Sequence, residues 1–411
     1  MVTPTKFVGA RVKRTEDPDL LRGRGRFVDD FHLPGMLEAT FVRSPHAHAR
    51  IKAIEVSAAL ALPGVHAVLT WKDLPASAQT RIPLLVPNPA IRDPRTQYCL
   101  AKEEVCYVGE TVAVVVADSR YIAEDAAAMV EVDYDPLPAA AELTAAIQPG
   151  AATAHSGNRD NLAAQVKMAY GNADEAFKRA HVIVRETFTQ HRGCAHPMEA
   201  RGVLADILSI TGQLTVWCSG QSPFLEKKCL VDLLAWDPER LRVIHPDVGG
   251  GFGPKGIFYA EEAVVAAAAV RLNRPVKWIE DRREHFLATT QERDQVWDTE
   301  LALDSNAKIL GLRVVMTHDN GAYLPWGIIL PWIAVTTTPG PYVVPNITVE
   351  ARVVFTNKVP TTPVRGAGRP QGVFAMERIL DKAAGELGIG RDEIRRRNLV
   401  QPAQMPYEVG F

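Results

Sequence analysis

A run of glycines between two regular segments constrains this chain more than any other feature. Residues 249–256 read GGGFGPKG. The β-branched segment 241–248 precedes them and the alanine-rich segment 259–270 follows, so strand, loop and helix are predicted in that order. Because glycine has no Cβ, the backbone N–H groups of such a loop can approach a ligand closely, and the helix start adds unpaired N–H groups. The pattern favours a binding site for an anionic or oxygen-rich ligand over a simple tight turn.

A second glycine cluster carries arginine. Residues 364–372 read VRGAGRPQG and precede the helix-like segment 373–388. Arg365 and Arg369 bring fixed positive charge and forked donors to a backbone-exposed loop, which favours a phosphate or a polar heterocycle as ligand. A solvated turn before a helix is the alternative.

Composition limits the kind of protein that can carry these loops. The 411 residues are 47% hydrophobic, enough for two or more domains with cores. The net charge of −2 gives no attraction to nucleic acid. No signal-peptide pattern opens the chain, and the longest aliphatic run, 263–270, is too short to span a bilayer. The five cysteines carry no CxxC spacing, so we expect no zinc ribbon, iron–sulfur site or disulfide framework, and a cytoplasmic location.

The chain is predicted to divide near residue 150. Residues 1–150 contain short strand-like pieces and a βαβ-like unit at 111–135, and we expect them to form a self-contained α+β domain. The stretch after Pro136 is rich in Ala, Pro and Gly and predicts a linker on the surface. Residues 151–411 would form the second domain.

Polar residues near the first loop are candidates for chemistry. Gln221 follows a predicted strand and offers an amide donor and acceptor. His196 and Glu199 are three residues apart, but Pro197 opposes the helix that would bring both to one metal ion. A buried, hydrogen-bonded Glu199 is the preferred interpretation.

The first loop also fits a dinucleotide-binding fingerprint. Gly251, Gly253 and Gly256 satisfy GxGxxG, and Glu280 or Asp281 lies where such a fold binds ribose. The loop follows antiparallel-looking strands, which argues against this interpretation. From the residues alone a dinucleotide-binding oxidoreductase remains an alternative.

Three motifs in order resemble the molybdenum hydroxylases, the family of xanthine dehydrogenase and aldehyde oxidase. GGGFGPKG is similar to the family's GGGFGGK loop, VRGAGRPQG is similar to its RGFGGPQ loop, and SGQ at 219–221 precedes the first loop at the family's spacing. VGARVKRTEDPDLLRGRGRFVDD, FVRSPHAHARI and YVGETVAVVVAD resemble its a/b hammerhead domain. The resemblance implies an α+β fold, with an a/b hammerhead domain in residues 1–150 and the first half of a molybdopterin-binding domain in 151–411.

The resemblance also implies a cofactor and the residues around it. The cofactor would be molybdopterin with molybdenum, in the cytosine dinucleotide form usual in bacteria, bound where the two glycine loops meet. Gln221 would hydrogen-bond an oxygen ligand of the metal, and Arg365 would hold the other side of the cofactor. The cofactor-binding residues carried over are Gln221, Gly250, Gly251, Phe252, Gly253, Arg365 and Gly366. Gln221, Phe252 and Arg365 would surround the molybdenum without ligating it directly.

The implied substrate pocket departs from the family pattern. Gly256 stands where xanthine-oxidising members carry glutamate, and Ile333 stands where they carry arginine, which disfavours xanthine. Ala367 replaces the aromatic residue of the RGFGGPQ loop, and Val364 lines the pocket beside it. No cysteine follows Arg365, which argues against carbon monoxide as substrate. We expect a nicotinate-like or purine-like N-heterocycle, or an aldehyde.

Partner subunits are the last expectation from the resemblance. Family members carry a further segment with the catalytic glutamate, so we expect this chain to be half of a split subunit whose base lies on a second molybdopterin-domain subunit. Water would supply the oxygen. A small [2Fe–2S] subunit and an FAD subunit would carry the electrons away. A non-catalytic scaffold subunit is the alternative.

Overall fold

Two large sheets and one small sheet form the frame of the molecule. The computed structural model describes residues 7–411. Within that range the strands are β1 (Leu37–Arg43), β2 (Ala49–Glu55), β3 (Val65–Thr70), β4 (Glu104–Val105), β5 (Thr111–Ala117), β6 (Glu131–Pro136), β7 (Leu162–Tyr170), β8 (Val182–Gln190), β9 (Gly202–Leu208), β10 (Gln213–Cys218), β11 (Leu241–Ile244), β12 (Val276–Ile279), β13 (Gln295–Leu303), β14 (Ile309–Gly321) and β15 (Ile347–Phe355). The helices are α1 (Asp17–Leu20), α2 (Ser57–Leu60), α3 (Arg120–Ala128), α4 (Leu143–Ala146), α5 (Ala173–Lys178), α6 (Pro223–Leu234), α7 (Ala260–Leu272), α8 (Arg282–Ala288), α9 (Ile329–Thr336), α10 (Arg369–Leu387) and α11 (Arg391–Asn398).

The seven-stranded sheet joins the two halves of the chain. Its strand order is β11-β10-β9-β12-β1-β5-β3. β1 pairs in parallel with β12, with Leu37 opposite Val276. The expectation that residues 1–150 form a self-contained unit is therefore wrong, because β1 uses the backbone of a strand from the second half to satisfy its own hydrogen bonds.

The segment 111–135 has the predicted elements but a different pairing. The apolar run 111–117 predicts a buried strand, and β5 is buried along its whole length. Ser119 is the predicted helix start, and its side chain caps α3 by accepting a hydrogen bond from the backbone N–H of Ile122 (3.3 Å). β6 does not return to the sheet of β5. It pairs antiparallel with β2 in the three-stranded sheet β4-β2-β6. The alternating polar residues of β6 suit this half-exposed sheet, whereas β5 needs cover on both faces.

The five-stranded sheet holds the second core. Its order is β7-β15-β14-β13-β8. The sequence of residues 300–320 predicts a hairpin that turns at 304–308, and β13 and β14 pair antiparallel around that turn. Helix α10 packs on β8 and β13 through a buried face. Trp297 is fully buried in this core.

The stretch after Pro136 is not the predicted surface linker. Leu143 and Ala146 of α4 are buried, and α4 packs on β14 and β15. Buried asparagines satisfy its backbone: the Asn357 side chain accepts from the N–H of Ala140, and the Asn161 side chain accepts from that of Ala154 (both 2.8 Å). Small residues can pack without an amphipathic pattern, provided that their polar backbone groups find partners.

Helix α7 anchors the glycine loop to the core. It is buried on nearly all sides and packs on β9 and β12, as expected of a helix that is apolar all round. The loop 249–256 lies between β11 and this helix. No helix within residues 7–411 is both long enough and apolar enough to cross a membrane.

Candidate functional site

The two glycine loops meet directly. The backbone N–H of Arg365 donates to the carbonyl of Phe252 (2.7 Å). Gly253 has a φ of +118°, and a Cβ there would come within 2.8 Å of the Cα of Val364. Gly253 must therefore be glycine for the loops to touch. The structure thus brings together two loops that are more than 100 residues apart in the sequence.

Gln221 is fastened to the glycine loop through its backbone and its side chain. Its N–H donates to the carbonyl of Lys255 (2.8 Å). Its Oε1 accepts from the N–H of Gly253 (2.9 Å), which settles the orientation of the amide, since only the oxygen can accept. The Nε2 group donates to no residue of the described chain. A hydrogen-bond donor is therefore held at the loop with its hydrogens available.

Three consecutive backbone N–H groups of the glycine loop are also available. Within residues 7–411 no acceptor meets the N–H of Gly250, Gly251 or Phe252. Gly250 and Phe252 have φ values of +97° and +58°, and such alternating backbone conformations make concavities that bind anions. The ring of Phe252 is 45% exposed beside them.

The second loop supplies a cation without a counter-charge. Arg365 is exposed and forms no ion pair with any described residue. Gly366 and Gly368 have positive φ values of +101° and +77°. Arg369 lies outside the loop, contrary to expectation, because α10 begins there rather than at residue 373. Pro370 suits the first turn of a helix, where its missing N–H costs nothing.

The four predicted pocket residues fall at two places. Gly256 faces Gln221, whose Nε2 would lie 3.9 Å from a Cβ at that position, and Val364 touches Gly253. Ile333 lies on α9 against the second loop: a Cβ on Gly368 would be 2.8 Å from the Cβ of Ile333. Ala367 precedes Gly368, with a φ of +23°.

A buried clamp behind the loop holds Gln221 in place. One oxygen of Glu199, Oε2, accepts from Ser219 Oγ (2.6 Å), the N–H of Gly249 (2.7 Å) and Lys255 Nζ (2.9 Å). Lys255 is 2% exposed and also donates to Ser219 (2.6 Å). Burial lowers the pKa of Lys255, and Glu199 counteracts that shift. The predicted hydrogen bonding of Glu199 is confirmed, but its side chain is half-buried rather than buried.

The lysine of this clamp was missed by the sequence reasoning. The only signal in the sequence is its place inside the GGGFGPKG motif. A lysine in a glycine loop is normally read as a ligand contact. Here its ammonium group points into the protein and binds the turn that carries Gln221.

The dinucleotide alternative is wrong. Glu280 is 3% exposed and accepts from Arg201 Nε (3.0 Å), His285 Nδ1 (2.9 Å) and Thr289 Oγ1 (3.0 Å), so no ribose can reach it. Burial opposes the charge of Glu280, yet Arg201 and these hydrogen bonds hold its pKa well below the usual range. β9 and β10 separate β11 from β12, which excludes the parallel βαβ unit that a dinucleotide fold requires.

Known proteins share this architecture over nearly the whole chain. The family described as "Molybdopterin cofactor-binding domain" matches residues 154–399, and the family described as "Aldehyde oxidase and xanthine dehydrogenase, a/b hammerhead domain" matches residues 22–138. The large subunit of nicotine 6-hydroxylase from Paenarthrobacter nicotinovorans is 38% identical over 413 residues, covering 98% of this chain and 50% of that subunit.

Two further comparisons differ in how much of the relative is covered. The crystal structure of quinoline 2-oxidoreductase from Pseudomonas putida 86 superposes with a TM-score of 0.92 at 38% identity, covering 98% of this chain and 51% of that one. The nicotinate dehydrogenase large molybdopterin subunit of Eubacterium barkeri is 27% identical, covering 96% of this chain and 90% of that subunit. The chain thus spans about half the length of the first two relatives and most of the third.

Proposed function

Because this chain belongs to the molybdenum hydroxylase family, we propose that it binds a molybdopterin cofactor where its two glycine loops meet. One observation carries the proposal. Five donor groups at this junction have no partner among the described residues: the N–H groups of Gly250, Gly251 and Phe252, the Nε2 of Gln221 and the guanidinium of Arg365. All of these groups are donors, which suits a ligand rich in anionic oxygen.

These residues have distinct roles toward the cofactor. When bound, molybdopterin supplies the two-electron chemistry that oxidises a C–H bond with oxygen from water. Gln221 Nε2 donates a hydrogen bond to an oxygen at the reacting centre, and its fastening to Gly253 fixes that donor before the reaction begins. The three loop amides hold the cofactor's oxygen atoms, and Arg365 offsets its negative charge.

The substrate is an electron-poor N-heterocycle, nicotinate-like or purine-like, or else an aldehyde. The pocket positions Gly256 and Ile333 carry no ionisable group, which disfavours xanthine as substrate. The second loop contains no cysteine beside Arg365, which disfavours carbon monoxide. Ala367 leaves room beside α9 where an aromatic side chain would otherwise stand. Two relatives are named for the N-heterocycles nicotine and quinoline, which favours this class over aldehydes.

The proton acceptor and the electron carriers lie on partner subunits. Among the described residues, the carboxylate that touches the first loop is already held: Glu199 Oε2 accepts from Lys255 Nζ (2.9 Å) and from the N–H of Gly249 (2.7 Å). A second molybdopterin-domain subunit therefore supplies the catalytic glutamate, and the coverage of the Eubacterium barkeri subunit supports such a division. A [2Fe–2S] centre needs four thiolates or close equivalents, and the five cysteines of this chain are not clustered in the sequence. A small iron–sulfur subunit and an FAD subunit therefore complete a cytoplasmic complex.

Isotope labelling tests this function. The complex would be purified under mild conditions, its molybdenum, iron, flavin and cytosine nucleotide counted per chain, and N-heterocycles and aldehydes screened in H₂¹⁸O. We expect about one molybdenum per chain and labelled oxygen in the product. A complex without molybdenum would support the scaffold alternative, and label arriving from O₂ instead of water would refute the reaction class.

A further inference from the structure

Three soft metal donors lie together outside the cofactor site. Cys194, His196 and His285 each offer one ligand atom, and these atoms lie within 4.8 Å of one another. Cys194 and His196 stand two residues apart in an irregular segment, and the fold brings the donor atoms of both close to His285. His285 comes from α8. A cysteine two residues from a histidine is a weak signal in the sequence, and only the fold adds the third donor.

We propose that these three side chains bind a zinc ion. A thiolate and two imidazoles suit a borderline-soft cation such as Zn²⁺, whereas Mg²⁺ and Ca²⁺ require oxygen ligands. Zinc lies about 2.3 Å from sulfur and about 2.0–2.1 Å from nitrogen, so its ligand atoms lie roughly 3.3–3.6 Å apart in a tetrahedral site. The three donors, which lie within 4.8 Å of one another, would draw together by up to about 1.5 Å to share one ion. Water or a partner's side chain completes the four ligands.

The surroundings of His285 are those of a metal ligand. Its Nδ1 lies 2.9 Å from Glu280 Oε2, and a carboxylate on the second ring nitrogen is the usual support for a zinc-binding histidine. Nε2 lies 3.1 Å from the carbonyl of Ala195, the residue between Cys194 and His196. Both nitrogens thus face acceptors in a ring that is 1% exposed. Zinc at Nε2 would take the place of the contact with the carbonyl of Ala195, while Glu280 keeps its contact with Nδ1.

The other two donors can reach an ion without unfolding. His196 is exposed, which opens a path for the ion. The Cys194 thiol donates only weakly, to the carbonyls of Ala195 (3.3 Å) and Thr290 (3.9 Å). Burial, together with Glu280 and Glu292, raises the pKa of Cys194 to about 11, while Arg282 lowers it. Zinc must therefore displace the thiol proton when it binds.

A zinc ion here would tie the segment 194–199 to α8. That segment supports the glycine loop from behind: the N–H of Glu199 donates to the carbonyl of Gly249 (3.2 Å), and Pro197 lies against Gly250. The inference stands independently of the proposed function, because none of its donors belongs to the two loops.

Counting zinc in matched variants tests the proposal. The purified complex would be stripped with a chelator and dialysed against buffered Zn²⁺, and bound zinc would be measured per chain. Cys194→Ala and His196→Ala remove donors, while His191→Ala removes an exposed imidazole from the same segment outside the cluster. Losing an outer partner of a zinc ligand costs roughly 10- to 100-fold in affinity, so losing a ligand should weaken binding by at least about a hundredfold. Sulfur atoms of molybdopterin could also take zinc, so the difference between variants is the readout.

The expected pattern is one equivalent in the wild type and in His191→Ala that is absent from the other two variants. Four results would each overturn the proposal: no zinc in the wild type, unchanged zinc in Cys194→Ala, an equal loss of zinc in His191→Ala, or binding of Cu⁺ but not of Zn²⁺. A second measurement does not depend on folding of the variants. Cys194 is the one half-buried cysteine, the other four being buried, so zinc should protect it from alkylation in the wild type; unchanged alkylation would overturn the proposal.

Discussion

Replacing Gln221 by alanine should slow turnover while molybdenum remains bound. The amide makes two contributions. Its Oε1 accepts from the N–H of Gly253 (2.9 Å), and losing a neutral hydrogen bond at this exposed residue costs about 0.5–1.5 kcal/mol of local stability. Its Nε2 is the free donor, and one preorganised donor at a reacting centre contributes roughly 1–3 kcal/mol, or roughly fivefold to 150-fold in rate.

Steady-state kinetics and molybdenum content of the same preparations provide the assay. Asp281→Ala is the matched control, because Asp281 caps α8 by accepting from the N–H of Glu284 (2.7 Å) and its loss should cost about 1 kcal/mol of stability without slowing turnover. Wild-type turnover in Gln221→Ala, with full molybdenum content, would refute the role of the amide. Rate loss confined to Asp281→Ala would refute the placement of the site.

Three further predictions concern the groups that support the site. Lys255→Met leaves Glu199 and Ser219 without the buried ammonium group. Breaking a buried pair costs about 3–5 kcal/mol, and because Glu199 is partly exposed we expect the free energy of unfolding to fall by an amount near the lower end of that range. Denaturant unfolding measures it, and an unchanged midpoint would refute the clamp. Glu280→Ala leaves the buried charge of Arg201 with one partner fewer and should cost about 3–5 kcal/mol; thermal unfolding within a degree of wild type would contradict the network. Burial raises the pKa of Glu110 to about 7. The folded state therefore binds this proton more tightly than the unfolded state, so stability from Glu110 is full below pH 4.5 and is lost, by up to roughly 3 kcal/mol, as the pH rises through 7. Glu110→Gln should abolish that part of the pH dependence, and a parallel pH profile in both proteins would refute the assignment.

Local sequence patterns predicted the helices and strands better than they predicted which strands pair with each other. The buried run of β5, the cap at Ser119 and the β13–β14 hairpin depend on neighbours in the sequence, and all three are confirmed. The pairing of β6 with β2 and of β1 with β12 depends on strands far away in the chain, which no local pattern encodes.

The site shows the same division between local and distant information. The strand–loop–helix order around residues 249–256 follows from composition, and the structure has that order. Three features of the site could not be predicted, because each depends on segments that come together only when the sheets form. They are the contact between Phe252 and Arg365, the inward direction of the Lys255 side chain and the proximity of His285 to Cys194. The start of α10 at Arg369 was missed because Arg369 and Pro370 lie between the glycines of the cluster, which suggested a loop.

Anomalous diffraction at the molybdenum edge, from crystals of the purified complex, tests the central claim most directly. We predict one molybdenum peak per chain in the space bounded by Gln221 Nε2, the N–H groups of Gly250, Gly251 and Phe252, and Arg365, with no side chain of this chain ligating the metal. A molybdenum peak outside that space, or a direct bond from a side chain of this chain to the metal, would contradict the account.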